Sequence, residues 1–210
     1  MTDHAPVPDG AAEAAPATRT DAVAQVPAAG ADTTEVDTTG TEGAAGRARP
    51  VKHPVTARTK ARRRAVEVLF EADQRGGLRI DPERVDRELA ESERAEHLRR
   101  LAAERAVHSA NHTDAPAYAR EILAGVADHL ADIDETIETY SQEWTLGRMP
   151  AVDRAIARVA VWEIVWNDDV DAPVAVDEAM TLARMLSTDE SPRFMNGLLG
   201  RIGDLADTLR

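Results

Sequence analysis

Cysteine is absent from the 210-residue sequence, so a disulfide framework and a thiolate metal site are both excluded. Apolar runs are short, and none reaches the roughly 18 consecutive residues that a membrane helix requires. The first ten residues, MTDHAPVPDG, have neither the basic start nor the apolar run of a secretory signal. Together these absences predict a cytoplasmic protein without a membrane segment.

Charge is distributed unevenly along the chain. The net charge is −13, which taken alone argues against nucleic-acid binding. Residues 1–46 are acidic, rich in Ala, Thr, Gly and Pro and free of aromatic residues, so we predict that this extension is disordered. Residues 47–64 form a basic arm without an acid, and its cations are Arg47, Arg49, Lys52, Arg58, Lys60, Arg62, Arg63 and Arg64. The arm favours a polyanionic partner, although a solvated charge run at a helix start would look the same.

The most apolar stretch is MPAVDRAIARVAVWEIVW, residues 149–166. Pro150 suits the first position of a helix, and Asp153 lies near the positive end of the helix dipole. Apolar side chains occur on nearly every side, so other elements must enclose this helix. Its four charges make it too polar to span a bilayer. We predict that it is the central helix of an all-α domain.

The other segments have helical spacing and no strand pattern. We predict one helix over about 58–75, ended by Gly76 and Gly77, and two short helices within 82–108 that are separated near Ser92. A single long helix is predicted from about 116 to 144. Further helices are predicted over 173–187 and from the Ser191 cap to the C-terminus.

Some side chains of these helices carry specific expectations. Gly125 suggests that a neighbouring backbone passes close to the long helix, and Gly197 and Gly200 are predicted to permit close helix–helix approach. In the last helix, Leu205 is predicted to belong to the buried stripe. Phe194 is predicted to lie beside that stripe, with its ring free for contacts outside the core.

No arrangement of residues indicates catalysis or metal binding. His108 and His112 are four residues apart, but no third ligand is evident and Asn111 suggests a loop. A glycine-rich phosphate loop and a Ser/His/Asp arrangement are both absent from the sequence. We therefore predict a non-catalytic protein with neither a metal site nor a cofactor.

Four segments carry a resemblance to a known family: ARTKARRRAVEVLFEADQRG (57–76), YAREILAGV (118–126), LGRMPAVDRAIARVAVWEI (146–164) and VAVDEAMTLARMLSTDESPRFMNGLLGRI (174–202). In order and separation they resemble the NusB family of bacterial transcription antitermination factors. The resemblance covers roughly Ala57 to Leu205. It implies an all-α fold of two small subdomains with about seven helices, so that residues 47–210 form one RNA-binding helical domain.

The function implied by the resemblance is binding of the boxA element of nascent ribosomal RNA transcripts together with NusE, a small-subunit ribosomal protein. Other Nus factors and RNA polymerase complete an assembly that suppresses termination. The family's RNA surface falls here on Arg58, Lys60, Arg62, Tyr118, Arg120, Arg193 and Phe194. Arg63 adds charge to the same arm and is also a candidate. Glu190 matches an acidic position at the same edge, whereas Thr59 interrupts the family's basic run.

Several alternatives remain open on the sequence alone. The chain could be a helical protein-interaction scaffold whose basic arm meets an acidic partner instead of RNA. Tyr118 and Phe194 could pack in the core, although single-stranded bases are commonly read by stacking on such rings. Trp144, Trp162 and Trp166 are predicted as core or helix-interface residues. The family includes monomers and homodimers, so either state is compatible with the sequence.

Overall fold

The computed structural model describes residues 55–80, 83, 85–107, 114–142 and 144–210. Within these residues all regular elements are helical, as predicted. The predicted disordered extension, the first part of the basic arm, and His108 and His112 lie outside them. The helices are α1 (Ala57–Gln74), α2 (Arg87–Val107), α3 (Ala117–Asp128), α4 (Leu130–Tyr140), α5 (Ala151–Trp166), α6 (Ala172–Leu186), α7 (Ser191–Asp204) and α8 (Ala206–Leu209), with a 3-10 turn at Leu146–Arg148.

The central helix, α5, is enclosed by its neighbours, which confirms the prediction from its apolar pattern. It contacts α1, α3, α4, α6, α7 and α8, and all residues from Ala155 to Val165 are buried. Pro150 occupies the N-cap, one position earlier than predicted. In the described part of the chain no helix is long and apolar enough to cross a membrane.

Two arginines of α5 are paired with acids from other helices. Arg158 is 1 % exposed, and its guanidinium donates to both oxygens of Asp134 on α4, at 2.8 and 3.0 Å. Arg94 of α2 pairs with the same carboxylate. Arg154 pairs with Asp73 of α1, which explains why an acid lies on the buried face of that helix. Because a buried charge is costly unless paired, these contacts fix α1, α2 and α4 against α5.

Two helix boundaries differ from the predictions. The α2 helix continues through Ser92 without a break, so the two short helices predicted there are wrong. The predicted long helix ends at His129, which separates α3 from α4. The His129 ring stacks on Trp166 with a centroid separation of 4.6 Å. The residue between the two helices is thus in contact with the end of α5.

The environments of several α7 residues also differ from expectation. Glu190 occupies the N-cap, and Ser191 lies inside the helix, where its hydroxyl donates to Asp153 at 2.8 Å. Leu205 is 39 % exposed because α7 ends one residue before it. A Cβ placed on Gly200 would meet no atom within 4 Å, and the nearest atom to one on Gly197 would be an arginine nitrogen at 3.8 Å. The close helix approach predicted at these two glycines is therefore wrong.

Candidate nucleic-acid interface

The described part of the basic arm begins with a capping box at the start of α1. The Thr56 hydroxyl accepts from the backbone N–H of Thr59 at 3.0 Å, and the Thr59 hydroxyl accepts from the backbone N–H of Thr56 at 3.3 Å. The Thr59 hydroxyl also donates to Glu178 of α6 at 3.1 Å. The threonine that interrupts the basic run therefore starts the helix and connects it to α6.

Arg62 lies in the interior and not on the arm's surface. It is 2 % exposed, and its Nε donates to both oxygens of Glu163, at 2.9 and 3.0 Å. Its NH1 lies 3.5 Å from a Glu178 oxygen. Burial opposes its charge, but the hydrogen bond and charge of Glu163 outweigh burial and hold the pKa of Arg62 above its ordinary value. Because this guanidinium is ionised and already paired inside, the structure gives it a role in holding the arm in place.

Tyr118, at the start of α3, connects this buried pair to the surface. Its hydroxyl donates to Glu163 and accepts from the Asn167 side-chain amide at 3.4 Å. The guanidinium carbons of Arg58 and Arg62 lie 5.0 and 5.4 Å from its ring centroid, which is within cation–π range. Burial and the Glu163 hydrogen bond raise the pKa of Tyr118, so its hydroxyl stays a donor at neutral pH.

The exposed cations among the predicted residues differ in whether they are already paired. Arg63 pairs with Glu67 at 3.1 Å. Within the described residues, by contrast, four of the predicted cations are exposed and have no ion-pair partner: Arg58, Lys60, Arg120 and Arg193. Unpaired cations can contact phosphate without first breaking an internal contact. These four cations are therefore available to bind an anion.

Phe194 is more enclosed than the sequence predicts. It is 8 % exposed, and its ring packs against Trp144 with a centroid separation of 5.2 Å. It joins the buried stripe because Leu198, one turn further along the same side of α7, and the adjacent Met195 both lie in the core. The prediction of a ring free for outside contacts is wrong, since Trp144, which is half-buried, covers it.

The predicted residues form two patches along α5. The first contains Arg58 and Tyr118 and is attached to α5 at Glu163. The second contains Arg193 and Phe194 at the start of α7, which is attached at Asp153. Ten helical residues separate the two attachment points, which corresponds to about 15 Å along the axis and a rotation of about 80°. The structure therefore places the two patches at opposite ends of the central helix.

Three residues that hold the first patch escaped the sequence analysis: Glu163, Asn167 and Glu178. Glu163 did carry a signal, because it is the one acid in the apolar run VAVWEIVW. A carboxylate in an enclosed helix requires a cation or several donors. The run does not say which cation that is, since eight basic residues in the arm could have supplied it.

The fold and the arm can now be compared with known proteins. A model of the NusB family matches residues 59–204, which is more than half of the chain. The chain belongs to the NusB family. The match begins within the capping box and ends with α7, so all seven long helices contribute to it.

Individual NusB proteins agree with this assignment. The transcription antitermination protein NusB of Beutenbergia cavernae is 50 % identical over 161 residues, which covers 74 % of this chain and 95 % of the relative. That of an Arthrobacter species is 48 % identical and covers 74 % and 98 %. The solved structure of T. maritima NusB superposes with a TM-score of 0.52 at 28 % identity, covering 71 % and 92 %. The chain is therefore a transcription antitermination protein of a non-catalytic family.

Proposed function

We propose that the chain binds the boxA element of nascent ribosomal RNA transcripts together with NusE, and that this complex joins other Nus factors on RNA polymerase to suppress termination. The observation that carries the proposal is the guanidinium of Arg58 lying 5.0 Å from the ring of Tyr118, at the exposed start of α1. A cation and an aromatic ring at one place suit a single-stranded nucleic acid, which offers phosphates and unstacked bases together.

Other exposed cations of the same two helices support the same partner. Lys60 on α1 and Arg120 on α3 are exposed and unpaired within the described residues. With Arg193 the interface then offers four cations to phosphate. Each neutralised phosphate of a single strand contributes roughly −0.7 to the slope of log K against log salt, so we expect a slope of about −3.

A mobility-shift titration with boxA RNA and a scrambled RNA of equal length, with and without NusE, tests the proposal. We expect preferential binding of boxA, strengthened by NusE. Equal affinity for both RNAs in the presence of NusE would contradict the proposal.

Substitutions then locate the interface on the chain. Changing Arg58, Lys60 and Arg120 to Ala removes three surface charges and leaves the buried Arg62–Glu163 pair intact. The matched control changes Arg79, Arg87 and Arg100 to Ala, which are exposed cations of the α1–α2 region. We expect the first variant to lose most of its boxA affinity and to flatten the salt slope by about 2, while the control stays close to the parent.

The same variants distinguish RNA binding from a scaffold that meets an acidic protein. If the arm binds RNA, the three-residue variant loses RNA affinity and keeps its affinity for NusE. Loss of a protein partner, with boxA binding unchanged, would favour the scaffold instead.

A further inference from the structure

The interior beneath Arg58 contains a hydrogen-bonded network with Glu163 at its centre. Glu163 is 1 % exposed and takes hydrogen bonds from Arg62 of α1 and from the Tyr118 hydroxyl of α3. Burial raises the pKa of this carboxyl, and the hydrogen bond and charge of Arg62 act in the opposite direction. These two donors therefore stabilise the buried carboxylate, and the carboxylate holds both donor side chains in place.

The network determines where the Tyr118 ring lies. The hydroxyl at one end of the ring is held by Glu163 and by Asn167, and one side of the ring is occupied by buried Arg62. The guanidinium of exposed Arg58 contacts the same ring. A flexible arginine that already lies on a fixed ring loses less conformational freedom when it binds a phosphate.

We propose, on the basis of the RNA-binding function proposed above, that Glu163 is a positioning residue of the RNA surface. It holds the Tyr118 ring in the position where the ring contacts the Arg58 guanidinium, and this contact orients Arg58 to bind RNA. Glu163 does not itself contact RNA, because it is buried. Its effect on binding passes through the Tyr118 hydroxyl and reaches the surface at Arg58.

The substitution Tyr118→Phe tests this link, because it removes the hydroxyl but keeps the ring and the Arg62–Glu163 pair. We expect boxA affinity in the presence of NusE to fall about three- to tenfold, which corresponds to the net contribution of one typical intramolecular hydrogen bond. Circular dichroism and thermal unfolding of each variant establish that it is folded at the assay temperature.

A double-mutant cycle separates positioning from general loosening of the fold. In an Arg58→Ala background, Tyr118→Phe should change the RNA affinity less than twofold, because the residue it positions is gone. In a Lys60→Ala background the full effect should remain, since Lys60 lies about 160° around α1 from Arg62. Equal effects of Tyr118→Phe in all three backgrounds would overturn the proposal.

Comparison with Tyr118→Leu and Arg58→Ala distinguishes failure of this inference from failure of the proposed function. If Tyr118→Phe binds like the parent while Tyr118→Leu and Arg58→Ala both weaken binding, the ring acts without Glu163 and the inference is wrong. If Tyr118→Leu and Arg58→Ala leave boxA binding unchanged, the proposed interface itself is wrong. Glu163→Gln keeps an acceptor for the Tyr118 hydroxyl, and in the folded variant we expect it to retain more RNA affinity than Glu163→Ala.

Discussion

A close contact between two helices that substitution can test lies at Gly125 on α3. A Cβ added there would lie 2.0 Å from Nε1 of Trp162 and 2.2 Å from its Cε2. Such distances fall below 3.0 Å, which real Cβ atoms essentially never show, so something must move. The indole is 6 % exposed and belongs to the core cluster, so it has no open space to enter. The neighbour is thus a side chain, where the sequence had suggested a passing backbone.

Gly125→Ala is therefore expected to destabilise the fold. Ala is favoured over Gly inside a helix by about 1 kcal/mol, but inserting a methyl group into a filled core costs about 1–3 kcal/mol and occasionally more. The overlap here is with a rigid ring, so the cost should lie at the upper end, with a net loss of about 1–2 kcal/mol. For a chain of this size the melting temperature should fall by roughly 2–8 °C.

Gly200→Ala on α7 is the matched control, because a Cβ there would meet no atom within 4 Å. Only the helix preference remains, so this variant should gain about 0.5–1 kcal/mol. Urea unfolding followed by circular dichroism measures both free energies. A Gly125→Ala variant as stable as the parent, or one that gains as much as Gly200→Ala, would refute the packing argument.

Three other predictions concern the contacts that hold the helices. Thr56→Ala removes the capping box of α1 and should cost about 1 kcal/mol in urea unfolding, whereas Thr56→Ser should cost much less. Asp134→Asn removes the negative charge that the buried guanidinium groups of Arg94 and Arg158 share, and it should lower the free energy of unfolding by about 3–5 kcal/mol. A loss under about 1 kcal/mol would contradict the pairing. The hydrogen bond from Arg105 holds the pKa of Glu71 below its ordinary value of 4.5, so this contact contributes stability above that pH and loses it as the pH falls through the native pKa. Glu71→Gln should therefore cost up to about 1 kcal/mol at neutral pH and progressively less as the pH is lowered below 4.5, and a cost that does not change with pH would contradict this reasoning.

The helical framework could be predicted largely from local patterns. The enclosed α5 follows from its apolar residues on all sides, and α1 and α6 begin and end within about one residue of the prediction. The break at His129 could not be predicted, because apolar spacing continues through it and the stacking partner, Trp166, lies 37 residues further along the chain. Spacing reports which side of a helix is buried, and it does not report where tertiary contacts bend the chain.

The candidate interface was only partly predictable, because charge counting treats all arginines as equivalent. Arg58 and Arg62 are one turn apart on α1, yet Arg58 is exposed and Arg62 is 2 % exposed. Phe194 shows the same limit for aromatic residues, since its exposure depends on Trp144, fifty residues earlier. In both cases the environment of the residue is decided by a partner that is distant in sequence.

Glu163 of the central helix determines which of the arm's arginines is buried and which is exposed. Glu163 is enclosed and needs a cation, and the capping box starts α1 so that Arg62 reaches it. Arg58, one turn earlier, is then left exposed over the ring that the same carboxylate holds. A neutral residue at position 163 would remove the reason for Arg62 to be buried and for Tyr118 to be fixed. The sequence feature that indicates the candidate interface is therefore the single carboxylate in the apolar run VAVWEIVW, considered together with the basic run that supplies its cation.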